Sequence, residues 1–174
     1  MLQIVKKCGL PAVFVCLCVL VSAGEGTGGA DGFRVALSLD NGHLGKVIFG
    51  VSPQAADGFD RACDSPAPPP GHGTGYTAFM IEEPDMFLYR DIKPHDDRVT
   101  WTFLGRVHPN KPIRIRWQSD ALPQDYDLKI RRTEQAQPID MRKTTEITLE
   151  NTEKIQIFAT PKKHADPAKE GLTP

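Results

Sequence analysis

Cysteine is almost missing from the part of this chain that could build a fold. Cys8, Cys16 and Cys18 all lie in an apolar N-terminal run, and only Cys63 lies beyond it. A single cysteine excludes an intrachain disulfide and any cysteine-rich metal site, so the core has to be held by hydrophobic burial. Helical periodicity is missing as well: after the N-terminal run no stretch repeats its apolar residues at three- and four-residue intervals. The constellations of common hydrolases are also lacking. His43, His72, His95, His108 and His164 are scattered with no His-x-x-x-His pair, and no Gly-x-Ser-x-Gly elbow occurs. Adjacent carboxylates such as Glu82 with Glu83 and Asp96 with Asp97 read as solvated charge on turns rather than acid–base couples, so no enzyme activity is expected.

A surplus of positive charge is lacking too, with 21 Lys and Arg against 22 Asp and Glu. The first residues read as a secretory signal: Lys6 and Lys7, an apolar run from Cys8 to Val21, then Val21-Ser22-Ala23 as a small-residue cleavage pattern. Cleavage after Ala23 would remove both lysines and no carboxylate, taking the net charge from −1 to −3. A negative chain without a clustered positive field is not expected to track nucleic acid. No later stretch is apolar enough for a membrane span. The expected location is therefore extracellular or periplasmic; an uncleaved anchor is the other reading of residues 1–23.

What is present is strand and turn patterning. Residues 24–31 are glycine-rich and read as a flexible leader, 32–159 as one β domain, and 160–174 as a disordered tail rich in Pro, Lys and Ala. Phe33, Val35, Leu37 and Leu39 alternate with polar partners, Asp40-Asn41-Gly42 supplies a tight turn, and Lys46 to Val51 returns, which predicts a hairpin. Further strands are expected at Tyr76–Ile81, Met86–Ile92, Arg98–Val107, Ile113–Trp117, Tyr126–Ile130, Pro138–Arg142, Glu146–Leu149 and Lys154–Ala159. Many short strands punctuated by Gly, Pro, Asn and Asp imply an all-β fold, an antiparallel β-sandwich or barrel. Trp101 and Trp117 fall on the apolar side of alternating strands and are assigned to the core. The other reading makes them, with Tyr76, Phe87 and Tyr89, an aromatic platform for sugars.

One stretch departs from this patterning: Phe49 to Gly71, FGVSPQAADGFDRACDSPAPPPG. Asp57, Asp60 and Asp64 are spaced three and four apart around Gly58, a set of carboxylates with which Ca²⁺ binding is conceivable. The spacing does not match an EF-hand, and the alternative is that these aspartates cap turns. Cys63 lies between Asp60 and Asp64, whose charge disfavours a thiolate, so a buried free thiol is expected; pairing between chains is the exception. Pro66, Pro68, Pro69 and Pro70 force an extended segment, expected to lie across the chain's own sheet rather than to serve as a ligand for an aromatic groove. Phe49 and Phe59 would anchor this stretch, which together with the prolines forms a structural clasp.

The run FGV-x(5)-DGFD-x(3)-D-x-P-x-PPP, from Phe49 to Pro70, resembles a segment of secreted bacterial surface proteins that carry immunoglobulin-like or fibronectin-III-like modules. Ile113 to Ile130, IRIRWQSDALPQDYDLKI, looks like the strand, Trp, proline corner and strand passage of a fibronectin-III-like sandwich, with Trp117 in the core position. The resemblance implies an immunoglobulin/fibronectin-III-like β-sandwich acting as a non-enzymatic structural or interaction module for a protein or cell-surface partner. A carbohydrate-binding module supported by Ca²⁺ is the alternative, and a metal-dependent hydrolase is a weaker one.

Overall fold

The computed structural model describes residues 32–69, 75–82 and 85–162. The signal and leader expected at 1–23 and 24–31, Pro70, and the tail beyond Lys162 lie outside the described residues. Every regular element described is a strand: β1 Phe33–Asp40, β2 Lys46–Val51, β3 Ser65–Pro66, β4 Tyr76–Ile81, β5 Met86–Lys93 and β6 Val99–Arg106 come first. They are followed by β7 Ile113–Arg116, β8 Tyr126–Arg131, β9 Ile139–Asp140, β10 Glu146–Leu149 and β11 Glu153–Pro161. The alternation in β1 emerges as strictly alternating burial, and Asn41 takes the left-handed conformation, φ 65°, that the turn into β2 demands. The β11 ladder continues to Pro161, past the end expected at Ala159, because Thr160 and Pro161 pair with Asp127 and Tyr126.

The strands form one sheet in the order β10-β7-β1-β2-β5-β4-β6-β11-β8-β9, with β3 attached to β5. The sheet curls into a half-barrel, and its two ends meet. Trp117, just past β7, donates its indole N–H to the Met141 carbonyl beside β9 at 2.7 Å. A Cβ placed on Gly105 of β6 would lie 2.2 Å from Leu149 Cδ1 of β10, so glycine lets these distant strands approach. A single large cluster fills the concavity, taking Phe33, Leu37 and Phe49 from the first hairpin and Trp101, Ile130 and Ile157 from the later strands. The first hairpin therefore shares the main core. Both tryptophans lie in it, Trp101 fully enclosed and Trp117 5% exposed.

The expectation of uniformly antiparallel pairing needs correction at one place. β2 and β5 run parallel, Ile48 against Arg90 through Val51 against Lys93. Parallel neighbours cannot be joined by a tight turn, and the chain between them includes the described residues 52–69, with β3, and then β4. The fold is all-β with a mixed sheet.

Candidate functional site

The crossover from Ser52 to Pro69 gathers the unusual residues of the chain, and its course follows from what it covers. In β2, Val47, Phe49 and Val51 point into the main core, so Ile48 points out. In β4, Phe79 and Ile81 point in, so Tyr76, Ala78 and Met80 point out. Strands that are apolar on both faces need a second cover. The crossover supplies it: Ala55 and Cys63 pack with Ile48 and Ile92, and Ala67 packs with Tyr76, Ala78, Met80 and Phe87.

The acidic loop is a folded turn. Gly58 sits at φ 77°, where an L side chain is strained. Asp60 accepts the amide of Ala62 on Oδ1 at 2.8 Å and that of Ala56 on Oδ2 at 3.3 Å, while its carbonyl accepts the amides of Cys63 and Asp64. Asp64 is buried; its Oδ2 accepts the Asp60 amide and its Oδ1 the Ile92 amide of β5, both at 2.8 Å. Phe59 is partly buried against the main core, and Phe49 is fully buried in it. Asp57 is exposed. Of the three aspartates considered as calcium ligands, the fold thus joins Asp60 and Asp64 to each other and to backbone donors. Among the described residues no group of three or more His, Cys, Asp or Glu is placed to hold a metal ion.

The electrostatics follow the same geometry. The Ala62 amide, with further donors, holds the Asp60 carboxyl below its usual value. Burial pushes Asp64 up against the opposing hydrogen bonds from the Asp60 and Ile92 amides. Cys63 is buried and free, and burial, aided by the Asp60 and Asp64 charges, raises its thiol further. That arrangement keeps the sulfur protonated and poorly nucleophilic.

The proline segment runs along the sheet. Ser65 and Pro66 form β3 against β5, and Ala67 donates its amide to the Phe87 carbonyl at 2.8 Å. Pro66, Pro68 and Pro69 are exposed, while Ala67 between them is half-buried.

Two residues not singled out by patterning complete the region. The step from Ser65 to Pro66 spans Arg90 to Leu88 on β5, an irregularity of the β-bulge type. The bulge lets Leu88 and then Asp91 face the main core, where Asp91 sits opposite Phe49. Asp91 is 1% exposed, its Oδ2 has no hydrogen-bond partner among the described residues, and burial raises its pKa to about 6. The Lys93 charge opposes that rise and Asp64 adds to it. A carboxylate inside the apolar run MFLYRDI was the available signal, but nothing in period-two alternation announces a bulge.

His43, after the first hairpin turn, stacks on Tyr76 at 4.3 Å and accepts the Thr77 amide on Nδ1 at 3.2 Å. Burial lowers its pKa, with the Pro68 carbonyl opposing. Gly42 and Gly75 bridge beside it, which ties the β1–β2 turn to the start of β4. No sequence motif marks His43, because its partners come from more than twenty positions away. No protein-family model matches this chain, and neither a curated protein nor a solved structure does.

Proposed function

We propose that this chain is a secreted, non-enzymatic β module that serves as a structural or interaction domain for a protein or cell-surface partner, with residues 52–69 as its clasp. One observation carries the reading of the loop: the Asp60 and Asp64 carboxylates are committed to backbone amides at both ends of the turn and to β5. A carboxylate that already accepts two amide hydrogen bonds acts as structural glue rather than as a free acid, base or metal ligand. Burial and neighbouring negative charge likewise make the Cys63 thiol inert. The finer likeness to immunoglobulin and fibronectin-III sandwiches rests on the β7–β8 passage with Trp117; the parallel β2–β5 pair sets the strand order apart. The alternative of an aromatic sugar platform is disfavoured by the placement of Trp101, Trp117 and Tyr76 in packed clusters.

The test is cross-linking capture on intact cells with the purified protein. The expected result is a saturable protein partner competed by excess unlabelled protein. Turnover of ester, glycosidic or peptide substrates that is abolished by chelator would instead establish the hydrolase alternative.

A further inference from the structure

Phe158 of β11 occupies an unusual position. Its neighbours Ile157 and Ala159 point into the main core, so Phe158 points outward, yet it is only 7% exposed. Two guanidinium groups lie against it: Arg98 at 4.4 Å and Arg131 at 4.9 Å from the ring centroid. Sharing one ring puts these two cations no more than about 9 Å apart. Lys129 is the cross-strand neighbour of Phe158 on β8, and Lys154 lies four residues back along β11 on the same face.

Register places these residues at successive levels across three neighbouring strands. Arg131 pairs with Gln156 and Lys129 with Phe158, while Thr100, opposite Phe158 on β6, follows Arg98 by two residues. Arg98, Lys129, Arg131 and Lys154 therefore succeed one another along the strand direction at about 6.5 to 7 Å intervals. None of the four forms an ion pair among the described residues. The carboxylates on this face are Asp127, two residues before Lys129 and 3.8 Å from Lys162, and Asp140, the cross-strand neighbour of Lys129 and 4.0 Å from Lys143. Asp96 and Asp97 flank Arg98 in the preceding turn. A chain of net charge −1 has thus gathered on one sheet face four cations that form no ion pair among the described residues, Arg131 being hydrogen-bonded to the neutral Gln156 amide.

We infer that the outer face of β6, β11 and β8 is a docking track for a linear anionic polysaccharide, whose sulfate or carboxylate groups are met by Arg98, Lys129, Arg131 and Lys154. Like charges held on one ring repel, and a bridging anion relieves that repulsion. β6 and β11 have neighbours on both sides and β9 covers the middle of β8 at Lys129 and Ile130, so the face offers no long open edge to which an acidic peptide could add as a further strand. Contact is left to the side chains, and Thr100, Thr102 and Thr160 between the cations offer hydroxyl partners suited to sugar hydroxyls, while the Gln156 side-chain oxygen already accepts a hydrogen bond from Arg131. The inference rests on the extracellular reading above and names its ligand class; partner capture can succeed where polymer binding fails, so the two are separable.

Binding of the purified protein to dextran sulfate and polygalacturonate is measured at low and rising salt, beside neutral dextran, polyglutamate and an oligothymidylate. At least one of the two acidic polysaccharides is expected to bind saturably, with affinity falling roughly tenfold or more as several ionic contacts are screened. Arg98→Gln with Lys129→Gln and Arg131→Gln should weaken binding about tenfold or more. Lys46→Gln with Lys111→Gln and Arg114→Gln, an equal charge loss elsewhere, should change it less than about twofold. If the first set unfolds the protein, Lys129→Gln with Lys154→Gln spares Phe158 and should still weaken binding. No binding to either polymer, equal loss in both variant sets, or equally tight binding of polyglutamate or oligothymidylate would overturn the inference.

Discussion

The Oδ1 atom of Asp64 accepts the backbone N–H of Ile92, 28 positions away, at 2.8 Å. The same carboxylate accepts the Asp60 amide, so one buried side chain both closes the acidic loop and fastens it to β5.

Asp64→Asn keeps the shape and replaces one acceptor by a donor that faces an N–H. The expected loss in urea unfolding is about 2 to 3 kcal/mol, the cost of stranding a buried partner. A loss below about 0.5 kcal/mol, the range of ordinary surface changes, would remove Asp64 from the clasp.

Asp91 has a folded pKa of about 6 against an ordinary 3.8, so the folded state holds its proton more tightly than the unfolded one. Its contribution is therefore unfavourable at neutral pH and relaxes as pH falls from about 6 towards 4. Asp91→Asn, which needs no ionisation, is expected to raise stability at pH 8 by up to about 3 kcal/mol and to have little effect near pH 4. Melting midpoints across this range check it; a variant less stable than the parent at pH 8 would show that the carboxylate is stabilising.

His43 behaves in the opposite sense. Its folded pKa lies below the ordinary 6.5, so the neutral ring is favoured by folding and this stability is lost as pH falls below about 6.5. Protonation also turns Nδ1 into a donor facing the Thr77 amide. Hydrogen exchange at Thr77 should accelerate relative to the amides of β11 as the solution is acidified. His43→Phe, which retains a ring against Tyr76, should abolish that pH dependence.

Phe59 is only partly buried against the main core. Phe59→Ala is expected to cost about 2 kcal/mol, less than the 3 to 5 of a fully enclosed aromatic. Denaturant midpoints measure this directly, and a negligible change would mean that the loop is anchored by Asp64 alone.

Calcium gives a separate check on the loop. With Asp60 and Asp64 engaged by amides, added Ca²⁺ is expected to leave the melting midpoint where chelator leaves it. A ligand that binds only the folded state must raise the midpoint, so a rise would restore Asp57, Asp60 and Asp64 as a cation site.

Local chemistry by itself determined where the strands lie and which faces they bury. Alternation in Phe33 to Asp40 and Tyr126 to Arg131 became alternating burial, because a strand's side chains point to opposite faces at a period of two. The turn at Asn41, the placement of both tryptophans in the core and the burial of Cys63 followed from residue type. Tertiary structure decided which strands pair and therefore where the unusual groups meet. The parallel β2–β5 pair, the irregularity that turns Asp91 inward, the Asp64 bond to Ile92 and the His43 stack on Tyr76 all join residues distant in sequence or depend on such pairing. Periodicity records a residue's face but not its neighbour, and the neighbour is set by long-range register, which local sequence does not encode.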